Sequence, residues 1–519
     1  MYQYNLGIKF KEIVNKYPDN IALKFPITDT VINYSELDKR SNQFARFLLN
    51  NGIEKRDVVC IAGDKIDATF FCMLACLKIG AIYSIFDPDS PIERLKKIIN
   101  TCQPKAIFAG EKLKEQIENT SSIEKIKIVK NEGKTLIQEI TKLNDRNLIE
   151  TREVTGADPA YIMFTSGSTG FPKGAVMTHS NVSNFIEWNI ETFGFIHNDV
   201  LTNVNPLYFD NSVFDFYSAL FSGACLIPFS KEAVTNPKLL LELIDNLKCT
   251  SWFSVPSLLI FLQTLRALKK DNMRYIKRFI FGGEGYPKAK LKALYDLYAH
   301  RSIFFNVYGP TECTCMCSAY IINSEDFMDL HGFPPLGRIA ENFSCLILDE
   351  AGKEVLNNEV GELCLVGPNV GKGYYNDPER TEISFMQNPN NDHFAEKMYK
   401  TGDLVRYNPD DGKIYIIGRK DFQVKHMGYR IELEEIETAL SQLSHISQAA
   451  VIHGNKRGLS QLIGIVSTQN EIAENLIRND LKDIIPDYMI PTTFHFVSEL
   501  PKNPSGKIDR KRLAEIYLK

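Results

Sequence analysis

Apolar positions in the first part of the chain alternate between helical and strand spacing. Apolar residues recur along one face of a helix predicted to begin with Ser35 as its N-cap and to end at Gly52. The apolar run Val58–Ile61 follows as a predicted buried strand, and Ser90 with the next residue, a proline, opens another predicted helix. Repeated alternation of this kind is typical of α/β domains with mostly parallel sheets. We therefore predict a large, multi-layer N-terminal body of this class over residues 1–419.

Residues 68–86 form a strongly apolar stretch whose length would suffice to span a membrane. Lys78 and Gly80 divide it into a predicted helix, Ala68–Ile79, and a predicted strand, Ala81–Phe86. A buried helix–strand unit is therefore favoured over a transmembrane helix.

A different pattern begins near residue 420. About 100 residues with their own apolar periodicity are enough for a small α+β domain with a separate core. We place the end of the large body at residue 419 and predict the small C-terminal domain over residues 422–519. Its predicted helices and strands lie at Ile431–Leu443 (helix), Gln448–His453 (strand), Gln461–Val466 (strand) and Glu471–Ile484 (helix).

Composition excludes several classes of protein. With 44% hydrophobic and 24% charged residues among 519, the chain can bury a sizeable core and is not disordered. A formal charge of −4 lacks the basic field of a nucleic-acid binder. Eleven cysteines without disulfide-framework spacing, and no basic-then-apolar N-terminus, argue against secretion. We therefore expect a cytoplasmic protein with no nucleic-acid partner and no membrane insertion.

A loop rich in glycine and hydroxyl groups, residues 165–174, directly follows the apolar run Tyr161–Phe164. Its glycines allow close backbone approach to a ligand, and its hydroxyls, backbone N–H groups and Lys173 can bind phosphate oxygens. The Walker A spacing cannot be registered on it. An ordinary hairpin turn needs fewer special residues, so we interpret it as a triphosphate-binding loop. The charged residues 111–155 before it are interpreted as a surface excursion.

Five further segments carry candidate chemistry. Each alone is a weak signal, because a Gly-Pro pair is usually a turn and a lone lysine in a polar loop is usually solvated. Their order and spacing together are specific. These segments are Phe209–Asp215, Asn306–Glu312, Tyr399–Asp403, Gly418–Arg430 and Asn503–Lys507.

With these motifs, the chain resembles the adenylate-forming superfamily of acyl-CoA synthetases, luciferases and peptide-synthetase adenylation domains over essentially its whole length. It is most similar to free-standing amino-acid adenylation enzymes, including D-alanine–carrier-protein ligases. The resemblance implies that a carboxylate attacks the α-phosphate of ATP, giving an acyl-adenylate and pyrophosphate. A phosphopantetheine thiol on a separate carrier protein, or CoA, would then take the acyl group. The resemblance also implies Mg²⁺ and a hinge at Lys420 and Asp421, about which the small domain rotates between the two steps.

The same resemblance implies roles for the nucleotide site. Glu312 would bind Mg²⁺, since a carboxylate suits a hard cation. Asp403 would bind both ribose hydroxyls, and the catalytic Lys507 would bridge the substrate carboxylate and the α-phosphate. In the rotated pose, the strand around Lys425–Gly428 would face the pantetheine tunnel. The full expected nucleotide-binding set is Thr165, Ser166, Gly167, Ser168, Thr169, Gly170, Lys173, Asn306, Val307, Tyr308, Gly309, Pro310, Thr311, Asp403, Ile416, Ile417, Gly418, Arg419 and Lys507.

For the substrate, Asp210 matches the acid that pairs with the α-ammonium group in amino-acid-activating relatives. The alternative is an aspartate that only caps a helix. A cysteine stands in D-alanine ligases where this chain has Gly282, which removes wall atoms and argues against D-alanine. The expected pocket is small or apolar and uncharged, and it predicts a neutral, small-to-medium amino acid. Its residues are Asp210, Asn211, Phe214, Ser254, Ile280, Gly282, Val307, Cys315, Met316 and Lys507.

Other interpretations remain open. An acyl-CoA ligase for a non-amino carboxylic acid is the near alternative, and Asp210 discriminates against it. A non-catalytic nucleotide-binding relative is the remote one. Cys313, Cys315 and Cys317 alternate as if along one face of a strand, but they lack the fourth ligand of a thiolate metal site, so we expect pocket or core lining.

Overall fold

The computed structural model describes residues 3–118, 127–130, 134–167, 170–341, 343–456, 459–468, 472–502 and 508–518. Within these ranges the N-terminal body contains two large sheets with parallel centres and a third, antiparallel sheet. The small C-terminal domain follows after residue 419. The central strands of the large sheets are near-continuously apolar because helices bury them on both faces, as in other α/β proteins.

The first sheet runs in the order β15-β14-β13-β12-β11-β9-β10-β1-β2. The pairs between β13 and β1 are parallel, and antiparallel pairs close both edges. The carboxyl ends of β11, β12 and β13 therefore meet at one edge of the sheet, where ligands bind in open α/β folds. Its strands are β1 Ile21–Phe25, β2 Thr30–Asn33, β9 Val200–Asn203, β10 Cys225–Pro228, β11 Ser251–Ser254, β12 Arg278–Gly282, β13 Ile303–Tyr308, β14 Ser318–Ile321 and β15 Arg338–Ile339.

The second sheet runs in the order β18-β8-β7-β4-β3-β5-β6, parallel from β7 to β6. Strands β7 and β8 pair antiparallel, so the predicted triphosphate-binding loop is topologically a long hairpin connection between them. Its strands are β3 Val58–Ala62, β4 Ile82–Phe86, β5 Ala106–Ala109, β6 Lys127–Lys130, β7 Pro159–Thr165, β8 Lys173–Thr178 and β18 Gly373–Tyr374.

The remaining sheets are smaller. The antiparallel sheet of the body runs β16-β17-β20-β19, with β21 paired to β20. In the small domain, β22 and β23 form a ribbon, and β24, β25 and β26 form a separate sheet. These strands are β16 Ser344–Leu348, β17 Val360–Val366, β19 Phe385–Gln387, β20 Lys397–Asn408, β21 Lys413–Arg419, β22 Gln423–His426, β23 Tyr429–Glu432, β24 Ile446–Lys456, β25 Leu459–Thr468 and β26 Thr493–Val497.

Helices cover both faces of the large sheets. Helix α3 is buried from Ala68 to Ile79 and packs within the main core cluster, while a separate cluster forms the small-domain core. The helices are α1 Leu6–Lys16, α2 Tyr34–Asn50, α3 Asp67–Ile79, α4 Ile92–Cys102, α5 Glu111–Glu118, α6 Lys134–Thr141, α7 His179–Phe193, α8 Asn211–Leu220, α9 Lys231–Thr235, α10 Pro237–Asn246, α11 Pro256–Thr264, α12 Lys288–Tyr298, α13 Pro378–Ser384, α14 Leu433–Ser441, α15 Glu474–Lys482 and α16 Arg510–Tyr517.

Several element predictions were wrong in detail. The N-cap of α2 is Asn33, whose side chain accepts a hydrogen bond from the Glu36 N–H, and not Ser35. The segment predicted as one helix from Ile431 instead completes β23 before α14 begins. Residues 111–155 are not only a surface excursion, because β6 within them extends the second sheet by pairing with β5.

The apolar stretch 68–86 forms α3 and β4 as predicted. No helix among the described residues combines the length and the apolar character needed to cross a bilayer. All eleven cysteines lie within the described ranges, and none of them is paired in a disulfide.

Candidate functional site

A narrow cavity of about 50 Å³ lies between the carboxyl edge of the first sheet and the ribbon β22–β23 of the small domain. Four of the five further segments named in the sequence analysis contribute residues to its lining. Its lining comes from both parts of the chain: Asp210, Asn211, Phe253, Gly282, Gly283, Val307, Gly309, Pro310, Thr311, Cys315, Met316, Thr401, Asp403, Arg419, Gln423, Lys425, Gly428 and Arg430.

Asp210 stands directly before α8 and reaches the cavity. Its side chain makes no capping hydrogen bond to that helix, which excludes the helix-cap alternative. The carboxylate accepts a hydrogen bond from Thr311 Oγ1 (2.6 Å), and it forms no ion pair with a lysine or arginine within the described ranges. Burial raises the pKa of Asp210, although the hydrogen bond from Thr311 acts in the opposite direction. A partly desolvated carboxylate of this kind favours a cationic partner.

The wall beside Asp210 is built from strained backbone. Thr314 and Cys315 both have positive φ (60° and 72°), which is uncommon for residues other than glycine and typical of functional sites. Gly309 permits this arrangement, because a Cβ there would lie 2.4 Å from Met316 Cα. The prediction that the three cysteines alternate along a strand was wrong, since residues 311–313 form a 3₁₀ turn and β14 begins only at Ser318. Cys315 still lines the cavity, as expected.

This cavity is lined by only some of the residues predicted for the substrate pocket. Phe214, Ser254 and Ile280 are buried and are not among the lining residues. The Ser254 hydroxyl accepts a hydrogen bond from Trp252 Nε1 and donates to the Val255 carbonyl. Phe253 lines the cavity instead of its neighbour, because successive side chains of β11 point to opposite faces.

Gly282 is explained by close packing of two strands. It pairs with Val307, and a Cβ at position 282 would lie 2.5 Å from the Val307 carbonyl oxygen. The missing side chain therefore does not leave open space in the wall, which corrects our interpretation of its difference from D-alanine ligases.

We expect Gly282→Ala to lower the free energy of unfolding by about 1–3 kcal/mol, the usual cost of overpacking. Urea denaturation would measure this change. Gly418→Ala is the matched control, because a Cβ at position 418 meets no atom within 4 Å. Equal stability of the two variants would contradict the proposed backbone clash.

Asp403, the expected ribose ligand, lies in contact with two other members of the expected nucleotide-binding set, Tyr308 and Arg419. Asp403 accepts hydrogen bonds from Tyr308 Oη (2.6 Å) and Arg419 Nη1 (2.7 Å). Lys425 Nζ lies 5.6 Å from the centroid of the Tyr308 ring, and burial lowers the pKa of Lys425 against the raising effect of Asp403. Asn306 Nδ2 donates to the Pro335 carbonyl (2.8 Å).

Other members of the expected nucleotide set lie outside this cluster. Ile416 packs against the main core, whereas Ile417 and Gly418 are exposed and are not among the lining residues. Their role in nucleotide binding stays a prediction. The same holds for the hinge at Lys420 and Asp421, between β21 and β22, where Asp421 pairs with Arg419.

The expected phosphate loop contacts the small domain. Gly167 is required there, because a Cβ would lie 2.1 Å from the Phe171 carbonyl oxygen. Thr165 Oγ1 is buried without a partner among the described residues, and Ser166 Oγ donates to the Arg430 carbonyl (2.6 Å). Gly170 has a positive φ of 75°. Ser168 and Thr169 of this loop, and the expected catalytic residue Lys507, lie outside the described residues.

Glu312, the expected Mg²⁺ ligand, is completely buried. Its carboxylate accepts hydrogen bonds from Tyr374 Oη (2.8 Å) and Arg430 Nη1 (2.6 Å). Burial opposes ionisation, but Arg430 and Lys173 together with Tyr374 lower the pKa of Glu312 to about 2. An ionised carboxylate near a hydroxyl oxygen fits Mg²⁺, which takes one or two carboxylates plus phosphate oxygens. Within the described ranges, no cluster of three or more His, Cys, Asp or Glu residues could hold a metal alone.

Sequence reasoning missed a second carboxylate at the domain interface. Glu284 accepts hydrogen bonds from the N–H groups of Ser257 (3.1 Å) and of Gly428 (2.5 Å). Gly428 lies so close to the body that a Cβ would be 2.8 Å from Val255 Cγ1. This contact fixes the turn of the ribbon over the cavity. A tertiary contact of this kind leaves no periodicity in the sequence.

Comparisons with known proteins decide the family. The family model described as "AMP-binding enzyme" matches residues 10–375, and that of the "AMP-binding enzyme C-terminal domain" matches residues 435–507. The chain belongs to the AMP-binding enzymes. The predictions of the adenylate-forming superfamily, of the α/β body with a small C-terminal domain, and of an AMP-forming ligase are thereby confirmed.

Two curated relatives illustrate the family. The chain is 34% identical to a dimodular nonribosomal peptide synthase of Bacillus subtilis (strain 168) over 96% of its own length, but it spans only 20% of that relative. It is 32% identical to the D-alanine–D-alanyl carrier protein ligase of Listeria monocytogenes serotype 4a (strain HCC23), with 93% of this chain and 94% of the relative covered.

A solved structure supports the fold alone. The adenylation domain AlmE of Vibrio cholerae, in complex with glycyl-adenosine-5′-phosphate, matches with a TM-score of 0.82 at 22% identity. The match covers 99% of this chain and 98% of that one.

Proposed function

We propose that this AMP-binding enzyme activates a neutral, small-to-medium amino acid as its aminoacyl-adenylate and then transfers it to the phosphopantetheine thiol of a separate carrier protein. The single observation that carries the substrate class is Asp210, a half-buried carboxylate at the cavity with no basic side-chain ion pair within the described ranges. The names of full-length relatives, which are carrier-protein ligases for D-alanine, support the same reaction class.

In the first step, a carboxylate oxygen of the amino acid bonds to the α-phosphorus of ATP, and the bond to the β-phosphate oxygen breaks. The carboxylate is already a nucleophile, so the residues of the site mainly align two anions and neutralise charge. Asp210 would hold the ammonium group, while Thr311 keeps that carboxylate oriented. Asp403 would hold the ribose. Mg²⁺ bound by Glu312 would neutralise phosphate charge.

In the second step, the thiolate sulfur bonds to the acyl carbon and AMP leaves. We infer that the observed pose of the small domain belongs to this step, because Lys425, Gly428 and Arg430 line the cavity. A large-domain carboxylate, Glu284, holds the ribbon there through the Gly428 N–H. The rotation about Lys420 and Asp421 that would bring Lys507 to the site for the first step stays part of the proposal.

ATP–pyrophosphate exchange tests this proposal directly. The enzyme with Mg²⁺ should incorporate labelled pyrophosphate into ATP in the presence of at least one neutral amino acid, screened as glycine and as L- and D-enantiomers. The matched control is the corresponding acid without its amino group, which should give at most background exchange. Exchange with fatty or aryl acids and with no amino acid would instead support the acyl-CoA ligase alternative.

A further inference from the structure

Two carboxylates of the small domain contact groups of the phosphate loop that are expected to bind the triphosphate. Glu435 Oε2 accepts a hydrogen bond from the Gly167 N–H (3.3 Å), within the phosphate loop. Glu432 Oε1 lies 3.2 Å from Lys173 Nζ at the other end of that loop. Both carboxylates are almost completely buried in this interface. Two donors of the phosphate loop therefore already have anionic partners from the same chain.

A further cation completes this arrangement. Arg94, in α4, forms a buried ion pair with Glu435 and was not predicted from the sequence. Glu432 also accepts a hydrogen bond from Gln423 Nε2 (2.6 Å), so its position is fixed from both sides. Burying either carboxylate without its cationic partner would be costly.

Glu312, the expected metal ligand, belongs to the same network of ion pairs. Arg430 pairs with Glu312, and its Nε donates to Gln423 Oε1 (2.7 Å). The network thus balances the cations Arg94, Lys173 and Arg430 against the carboxylates Glu312, Glu432 and Glu435. The Gly167 N–H is a single donor and cannot serve Glu435 and a phosphate oxygen at once, and a phosphate at Lys173 would place its negative charge beside Glu432. Docking of the small domain and binding of pyrophosphate therefore oppose one another at these atoms.

We propose that Glu432 and Glu435 are positioning residues for thiol transfer, which replace pyrophosphate as the anionic partners of the phosphate loop. This inference rests on the proposed function, since it assigns the docked pose to the second step. Once pyrophosphate leaves, the carboxylates occupy its donors and hold the ribbon β22–β23 over the acyl-adenylate. Pyrophosphate that is still bound prevents the small domain from docking. Thiol transfer can therefore follow only after pyrophosphate has been released.

Binding of inorganic pyrophosphate to the free enzyme tests the competition without any turnover. A docked small domain reduces the fraction of molecules that can bind pyrophosphate, and the apparent dissociation constant rises accordingly. Isothermal titration calorimetry with pyrophosphate and Mg²⁺ should show at least about fivefold tighter binding to Glu435→Gln and to Glu432→Gln than to the wild type.

Glu434→Gln is the matched control for the change in net charge. Glu434 lies beside Glu435 on α14 and forms no ion pair among the described residues. Its substitution should leave pyrophosphate affinity within about twofold of the wild type, a difference well below the coupling effect expected above. Far-ultraviolet circular dichroism and thermal unfolding check that each variant is folded. If either glutamate variant is not folded, the other one carries the comparison. Affinities equal to that of Glu434→Gln in the folded variants would overturn the proposal.

The division of the effect between the half-reactions provides a second readout. Glu435→Gln should reduce the rate of thiol loading at least about tenfold more than it reduces pyrophosphate exchange, because only the docked pose loses a partner. An equal loss in both rates would mean a merely structural role and would overturn the proposal. Absence of amino-acid-dependent exchange in the wild type would instead refute the proposed function, and the titration would still decide whether the carboxylates compete with pyrophosphate.

Discussion

Replacing Lys507 with glutamine is expected to lower the rate of aminoacyl-adenylate formation by about 10²- to 10³-fold, as for the loss of one preorganised charge-stabilising group. Two anions must approach each other in this step, and the resemblance assigns Lys507 to the atoms between them. Single-turnover release of pyrophosphate, measured with saturating ATP and amino acid, reports this step. Transfer from a preformed adenylate to the thiol should keep most of its rate, because the proposal gives Lys507 a role in the first step only, and Lys425 lines the cavity in the docked pose.

Lys502→Gln is the matched control for Lys507→Gln. Lys502 lies in the same C-terminal segment and forms an exposed ion pair with Glu499 (3.5 Å), a contact that contributes little. It should leave both half-reactions close to the wild-type rates. A wild-type rate of pyrophosphate release in Lys507→Gln would remove the residue from the first step and with it the need for domain rotation.

Local sequence patterns predicted the elements whose apolar spacing is unambiguous. Helix α3 and strand β4 were predicted because a charged residue and a glycine separate two apolar runs. The start of α2 was predicted two residues late, since serine and asparagine cap helices about equally well and only the observed hydrogen bond identifies Asn33. Ile431 and Glu432, the last two residues of β23, were predicted as helix because the apolar spacing continues from Ile431 directly into α14.

The site was predictable where a motif carries its own chemistry. Asp210, Asp403 and Glu312 all converge on the region between the two domains. Arg94 and Glu284 could not be found in this way, because each acts through one contact with a residue more than 100 positions away. Pairing across a domain interface depends on tertiary docking, and a single sequence shows no trace of it. Ser254 was predicted in the lining where Phe253 is observed, because the prediction was one residue out along β11 and neighbouring side chains of a strand face opposite sides.

Asp210→Asn is expected to lower kcat/KM for the amino acid by about 100-fold or more, which corresponds to the loss of a buried charge partner worth about 3 kcal/mol. Asparagine keeps the size of the side chain and can still accept the hydrogen bond from Thr311, so the change isolates the charge. Pyrophosphate exchange measured against amino-acid concentration gives this ratio. The same measurement with the acid that lacks the amino group is the control, because its background-level exchange should be the same in the wild type and in the variant.

The pH dependence of the wild type gives an independent check on this carboxylate. Burial raises the pKa of Asp210 above its ordinary value of 3.8, and only the ionised form attracts an ammonium group. The pH dependence of kcat/KM reports the pKa values of the free enzyme. The value of kcat/KM should therefore fall as the pH decreases through the pKa of Asp210, which lies above 3.8. Asp210→Asn should lack this acidic limb, while Glu312, with a pKa of about 2, stays ionised throughout the range. An unchanged acidic limb in the variant would assign the titration to another group and would leave the ammonium-binding role without support.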